Sequence, residues 1–218
     1  VTGQTKDNTD NTSQGDTDTW IAKYDNNGNQ VWLQKIGTSY EDKILEITLD
    51  DDNNILAAGY TKGSVDGTRD GDGNAWVAKL NNSGDLNWQT QLGTQNKDIA
   101  RSIFVDNNSN IYLSGQTYGW LGETYSGDAN NWVGDREAWW AAIHGDRSGL
   151  GGTYAGNGDA WVAQLNSDDG STNWKRLIGT KDIDDSTGVV ADELGNVYLT
   201  GTTQGQLADS QFGGTDIF

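Results

Sequence analysis

The side chains best equipped for chemistry in this sequence fall in a few places. Asp66, Asp70 and Asp72 lie in KGSVDGTRDGDG (62–73), where alternating carboxylates offer the oxygen donors that Ca2+ takes. The run Asp70-Gly71-Asp72-Gly73-Asn74 lacks the remaining positions and the terminal Glu of a helix-loop-helix calcium site. The competing reading is a solvated turn whose Asp and Asn bond their own backbone. Asp7, Asp10, Asp16, Asp18, Asp128 and Asp159 stand in comparable surroundings. Tyr118, Trp120, Tyr125, Trp132, Trp139 and Trp140 crowd into one stretch. Aromatic faces beside Asp and Asn suit a sugar, whose C–H faces stack while its hydroxyls bond to amides and carboxylates. The alternative is that Trp132 and Trp139 pack as Trp161 does.

Two further groups invite a catalytic story. His144 is the single histidine, with Asp146 and Ser148 beside it in HGDRSG. A Ser-His-Asp triad is assembled by fold geometry and not by adjacency, and no nucleophile elbow is present. His144 aligns with Asn166, a turn position, so a surface role is expected. Asp42, Asp98 and Asp184 each follow an IG or LG pair by five residues. They could form a ring of carboxylates around an axis, or cap backbone N–H groups at the joint between repeats. The second reading is favoured. Asp50, Asp106 and Asp192 read as turn residues.

What positions these groups is a repeat. NAWVAKLNNSGDLNWQTQLG (74–93) is rewritten at 18–37 and 159–179, and a further copy begins at Asp216. Each copy is two apolar runs around a tight turn, such as Asn26-Asn27-Gly28-Asn29, a strong hairpin signal. A second pair of runs follows, such as IARSIFVD and IYLSGQT joined by NNSN. The alternation in LNWQTQLG predicts a half-exposed strand, with Trp88 on one face and Gln89 and Gln91 on the other. Four short strands per repeat, in a period near 40–45 residues plus loop growth, is the propeller pattern.

The repeat therefore predicts an all-β chain, a β-propeller of four-stranded blades with two complete and two incomplete blades, and so a partial propeller or fragment. The divisions are a partial blade at 1–37, a blade at 38–92, a blade at 93–179 with an insertion at 118–149, and a partial blade at 180–218. Within the insertion, LGETYSGDANNWV (121–133) aligns without gaps to LGGTYAGNGDAWV (150–162), which suggests a local duplication.

The copies WIAKYDNNG, WVAKLNNSG and WVAQLNSDDG resemble the SBBP β-propeller repeat family, together with the closing GxT at 3–5, 59–61, 115–117 and 201–203. The resemblance covers nearly the whole chain except 118–158. It implies the propeller fold and a setting at the bacterial cell surface or outside the cell, with no shared activity and no catalytic residue to carry over. By likeness to WD-type blades it implies a strand order from inner to outer of IARSIFVD, IYLSGQT, AWVAKLN, LNWQTQLG. The tight turns would lie on one face, and the long loops with the LG-to-Asp connections on the other.

Composition sets limits on partners. The 218 residues carry 32 acidic and 14 basic side chains, a net charge of -18, which repels nucleic acid and anionic membranes. Ten tryptophans and eight tyrosines in register argue against disorder. Cysteine is absent, which removes disulfides and thiolate metal sites. Methionine is absent too, so a processed, excised or incomplete piece is expected. No signal peptide and no apolar run of transmembrane length is present. The leading expectation is a non-catalytic extracellular module that binds carbohydrate or a surface polymer with Ca2+ assistance. Other copies, or another chain, would complete the ring. The alternatives are a structural repeat of an extracellular layer or filament, and a polysaccharide hydrolase or lyase.

Overall fold

The computed structural model describes residues 1–5, 17–65, 72–119, 158–180, 182–205 and 215–218. The described residues form only strands and turns: β1 (Thr2–Thr5), β2 (Asp18–Tyr24), β3 (Gln30–Ile36), β4 (Asp42–Leu49), β5 (Ile55–Thr61), β6 (Asn74–Leu80), β7 (Leu86–Leu92), β8 (Asp98–Val105), β9 (Ile111–Thr117), β10 (Asp159–Leu165), β11 (Thr172–Ile178), β12 (Asp184–Ala191), β13 (Val197–Thr203) and β14 (Asp216–Ile217). They pair antiparallel into four sheets, β1-β2-β3, β4-β5-β6-β7, β8-β9-β10-β11 and β12-β13-β14. Two sheets are complete four-stranded blades. The first lacks an inner strand and the last lacks an outer one, as the repeat predicts. Asp42 pairs with Thr61, Thr61 with Asn74, and Ala75 with Leu92. Chain reversals therefore alternate between two faces: β5–β6 loops and β7–β8 connections on one, hairpin turns on the other. We call these the loop face and the turn face.

The sheets stack through three apolar seams. The first joins sheets one and two through Ile21, Ile36, Ile44, Ile55, Trp76 and Leu80. The second joins sheets two and three through Leu56, Val77, Leu92, Ile103, Leu113 and Trp161. The third joins sheets three and four through Tyr112, Val162 and Val189, with Phe104, Trp174 and Leu199 against them. Trp76 and Trp161 are among the largest fully buried side chains, and small neighbours such as Ala58, Ala78 and Ala163 leave them room. Fully burying one such aromatic stabilises by about 3 kcal/mol.

Each inner strand of sheets two to four carries a bulge, between Ile44 and Glu46, Ala100 and Ser102, and Ser186 and Gly188. The bulge drives a carbonyl against the facing strand. A Cβ at Gly59 or Gly115 would overlap the carbonyl oxygen of Lys43 or Ile99, which explains the glycine of the GxT signature. The outer strand differs from expectation in one respect. Gln89 and Gln91 do not simply face water, because outer strands also lie between sheets. Gln89 Oε1 accepts from Trp76 Nε1 at 3.3 Å, and Gln91 Oε1 accepts from the Val65 amide at 3.2 Å.

Candidate functional site

The recurring aspartates are joints. Asp42, Asp98 and Asp184 are fully buried at the start of the inner strands. Their carboxylates accept the amides of Thr38 (2.6 Å), Thr94 (2.7 Å) and Thr180 (2.6 Å), which closes the connection from the preceding outer strand. The same threonine hydroxyls bond to them as well. Asp98 also receives the Thr117 hydroxyl. Burial pushes the Asp98 carboxyl up to about 6, against the lowering pull of the Thr117 and Thr94 donors. The capping reading holds for all three, although Asp184 caps through Oδ2 and its buried Oδ1 has no hydrogen-bond partner among the described residues.

The turn face is equally committed. Asp50 Oδ1 accepts from the Asp52 and Asn54 amides at 3.1 and 2.8 Å, and Oδ2 from the Asn54 side chain at 2.9 Å. Asp106 and Asp192 repeat the pattern with Asn110 and Asn196. Asp25 does so with Asn29 in the outer hairpin. The side-chain amides of Asn29 and Asn196 are the main reason that Asp25 and Asp192 are held below the ordinary carboxylate range.

Neighbouring sheets are latched by tryptophan. Trp32 Nε1 donates to the Asn82 carbonyl, and Trp88 Nε1 to the Ser167 carbonyl, each at 3.1 Å. Both indoles lie on the glycine of the turn they grip: a Cβ at Gly84 would stand 3.1 Å from Trp32, and one at Gly170 would stand 2.7 Å from Trp88. Lys23 reaches Asn82 in the same way, and Lys79 reaches Ser167 and Asp50.

The inner strands add cross-ties that sequence reasoning missed. Glu46 Oε2 accepts the Ile103 amide at 2.7 Å, and Arg101 Nε donates to Asp185 at 2.7 Å. These positions read Glu46, Ser102 and Gly188, and Leu45, Arg101 and Thr187, across the copies. Their variation within an otherwise regular repeat is the signal that could have found them.

Among the described residues, a cluster on the loop face departs from the repeat. Gln4 and Gln116 each pass a side-chain N–H to the carbonyl of the next inner strand's first residue, Asp42 and Asp184. The second sheet has Tyr60 there instead. Its hydroxyl donates to Glu41 Oε1 at 2.6 Å, Lys62 Nζ meets Glu41 Oε2 at 2.6 Å, and Lys97 Nζ lies 5.5 Å from the ring centre. Lys62 is the chief cause that lowers the Glu41 carboxyl, followed by Tyr60. Burial first, then Glu41, pushes the Tyr60 phenol up to about 12. A phenol so held donates and stacks; it does not ionise to attack.

Of the expected ligand-binding residues, Tyr118 is described. It is half-buried at the end of β9, where its amide donates to the Lys97 carbonyl and its carbonyl accepts from Asn96 Nδ2 at 2.8 Å. Trp120, Tyr125, Trp132, Trp139 and Trp140 lie outside the described residues, as does His144. Asp72 is exposed at the entry to β6, and Asp66 and Asp70 lie outside the described residues. Among the described residues no group of three or more His, Cys, Asp or Glu converges as a metal ion would require. Nor is any described helix long and apolar enough to cross a membrane.

The geometry agrees with what the chain is similar to. Residues 87–120 and 173–207 match the SBBP β-propeller repeat. Each match begins in an outer strand and runs through the next sheet's two inner strands, so the sequence unit straddles a seam. An uncharacterized WD repeat-containing protein of Acanthamoeba polyphaga mimivirus is 25% identical over 122 residues, which cover 48% of this chain and 9% of that protein.

Proposed function

We propose that this chain is a non-catalytic recognition module whose loop face takes a carbohydrate or other extracellular polymer, with Ca2+ as an aid to binding. One observation supports the reading. The recurring polar side chains of the described strands and turns are bonded to their own turns or to neighbouring sheets. Apart from the Glu46 and Arg101 ties between inner strands, what departs from the repeat is attached at the loop face: the Tyr60–Glu41 cluster, Tyr118, and the aromatic-rich and Asp-rich segments entered from β5 and β9. A rigid scaffold that carries variable loops on one face is the usual arrangement of a recognition protein. The setting we propose, at the cell surface or outside the cell, fits such a ligand.

The test is a glycan screen of the full chain for binding and turnover together, with and without Ca2+. Replacement of Trp132, Trp139 and Trp140 by alanine should weaken binding at least tenfold without lowering the melting temperature. Retained affinity would refute the aromatic site. Turnover that disappears when Asp135, Glu137 and His144 become alanine would establish the enzyme alternative instead. Ca2+ at 100 times its Kd should stabilise the fold by about 2.7 kcal/mol, and a chelator that changes nothing would remove the metal from the proposal.

A further inference from the structure

The joints between successive sheets differ at one place on the loop face. The middle residue of GxT is Gln4 at the first joint and Gln116 at the third. Each side-chain amide seals its joint by donating to the carbonyl of Asp42 or Asp184, at 3.1 and 3.3 Å. At the second joint that residue is Tyr60, whose hydroxyl turns to Glu41 Oε1 instead. The residues just before the inner strands vary as well: Glu41, Lys97 and Ile183. Two joints therefore form without this cluster, so the repeat does not require it. Nor does the cluster add much stability, because the Lys62 and Glu41 side chains are 45% and 34% exposed and water screens such a pair.

What the cluster does is prepare a surface. Glu41 holds the Tyr60 hydroxyl on one oxygen and Lys62 Nζ on the other, each at 2.6 Å, which orients the half-buried phenol ring. Lys97 is exposed and carries its ammonium 5.5 Å from the ring centre. Among the described residues it forms no ion pair, whereas Lys62 is paired. Two ammonium groups thus attend one carboxylate, a local positive excess in a chain of net charge -18. The pieces are an oriented aromatic ring, a carboxylate and an exposed cation. The C–H face of a sugar stacks on the first and a sugar hydroxyl donates to the second. The third takes an anionic group by a charge-assisted hydrogen bond.

We propose that Tyr60, Glu41 and Lys97, braced by Lys62, form a subsite for a uronic acid residue of a glycan. Its pyranose lies against Tyr60, a hydroxyl donates to Glu41, and its carboxylate accepts from Lys97. The subsite rests on the recognition reading above and names the ligand class for it. Charge sets a second limit. The net charge of -18 repels a dense polyanion, while a single carboxylate meets Lys97 well inside the Debye length of about 8 Å. The subsite therefore suits a glycan with isolated uronic acids and not a polysulfated or polyuronate chain.

The experiment titrates the full chain with methyl glucuronide and methyl glucoside, which differ only in the carboxylate, and follows the ligand by NMR. The parent should bind the glucuronide about tenfold more tightly, and the preference should shrink as salt rises. Lys97→Met keeps the stem and removes the charge, so the glucuronide should fall to the level of the glucoside while the glucoside is unchanged. Tyr60→Gln installs the residue of the other joints, so the melting temperature should hold while both sugars weaken. Equal affinity for the two sugars in the parent, a preference that survives Lys97→Met, or parental binding by Tyr60→Gln would overturn the subsite. Should Tyr60→Gln melt early, the exposed Lys97→Met variant decides alone. A parent that binds no member of the glycan screen removes the recognition reading and the subsite together. A parent that binds glycans with affinities unmoved by Lys97→Met and Tyr60→Gln removes the subsite only.

Discussion

Replacing Lys175 by glutamine should stabilise this protein, and the reason lies in a comparison between sheets. Trp76 and Trp161 occupy the same position in β6 and β10, and both indoles are buried. Trp76 Nε1 donates to Gln89, which stands opposite Ala78. In the next sheet the residue opposite Ala163 is Lys175, which offers no acceptor. Trp161 Nε1 is accordingly buried without a hydrogen-bond partner. An orphaned buried donor costs about 1–3 kcal/mol. Glutamine at 175 supplies the missing acceptor, at the loss of a distant cation that favours ionised Asp98. The net expectation is a gain of about 1 kcal/mol, which raises Tm by roughly 2–4 °C in a domain of this size. The converse change, Gln89→Lys, should cost about 1–3 kcal/mol by orphaning Trp76. Thermal and urea unfolding measure both. The decisive control is Lys175→Gln in a Trp161→Phe background, where no indole donor exists and the gain should vanish. A gain that persists there, or no gain in the parent, would refute the account.

Three further expectations follow from the fold. Asn53 and Ser109 have φ of 60° and 63° where the third hairpin of this kind has Gly195 at 82°. Ser109→Gly should therefore stabilise by about 1 kcal/mol in melting experiments, and Asn53→Gly by less, because Asn tolerates the left-handed region. Gly115→Ala would press a Cβ into the Ile99 carbonyl, which is backbone and cannot yield, so a loss of about 3 kcal/mol is expected; an unchanged Tm would contradict the bulge explanation. Asp98 titrates near 6 in the folded chain against an ordinary 3.8, so its protonated form is favoured by folding. Its contribution is fully present below the unfolded value and is lost as pH rises through 6. Relative to Asp98→Asn, the parent should thus lose up to about 3 kcal/mol between pH 4 and 7. A constant difference across that range would show that Asp98 titrates normally.

Much of the architecture was legible because a propeller repeats its chemistry with its geometry. The Asn/Gly turns, the aspartate five residues after each glycine and the GxT triplet recur because each solves the same local problem in each sheet. The roles of Trp32 and Trp88 as latches were not legible in detail, since the turn each grips lies in the next copy. Glu46, Arg101 and Tyr60 were missed because they serve a single seam and have no equivalent to be aligned with. The polar face of β7 misled for a related reason. Alternation normally separates core from water, but in a stack both faces of a strand meet protein, and Gln89 serves a buried indole. Candidate ligand contacts were legible only as departures from the repeat. Of those, Tyr118 and Asp72 can be placed on the loop face.

The tryptophan latches also set a clock. Trp32 grips a turn 50 residues further along the chain, and Trp88 one that is 79 residues on. At about 5–20 residues per second, the first indole waits roughly 3–10 s for its turn to be synthesised, and the second roughly 4–16 s. During that interval an emerging sheet exposes the apolar side that its successor will cover. The insertion between β9 and β10 is the reason the second wait is longer. A slow-growing nascent chain is therefore most vulnerable to misassociation while 120–157 is being made, and a chaperone would find its longest opportunity there.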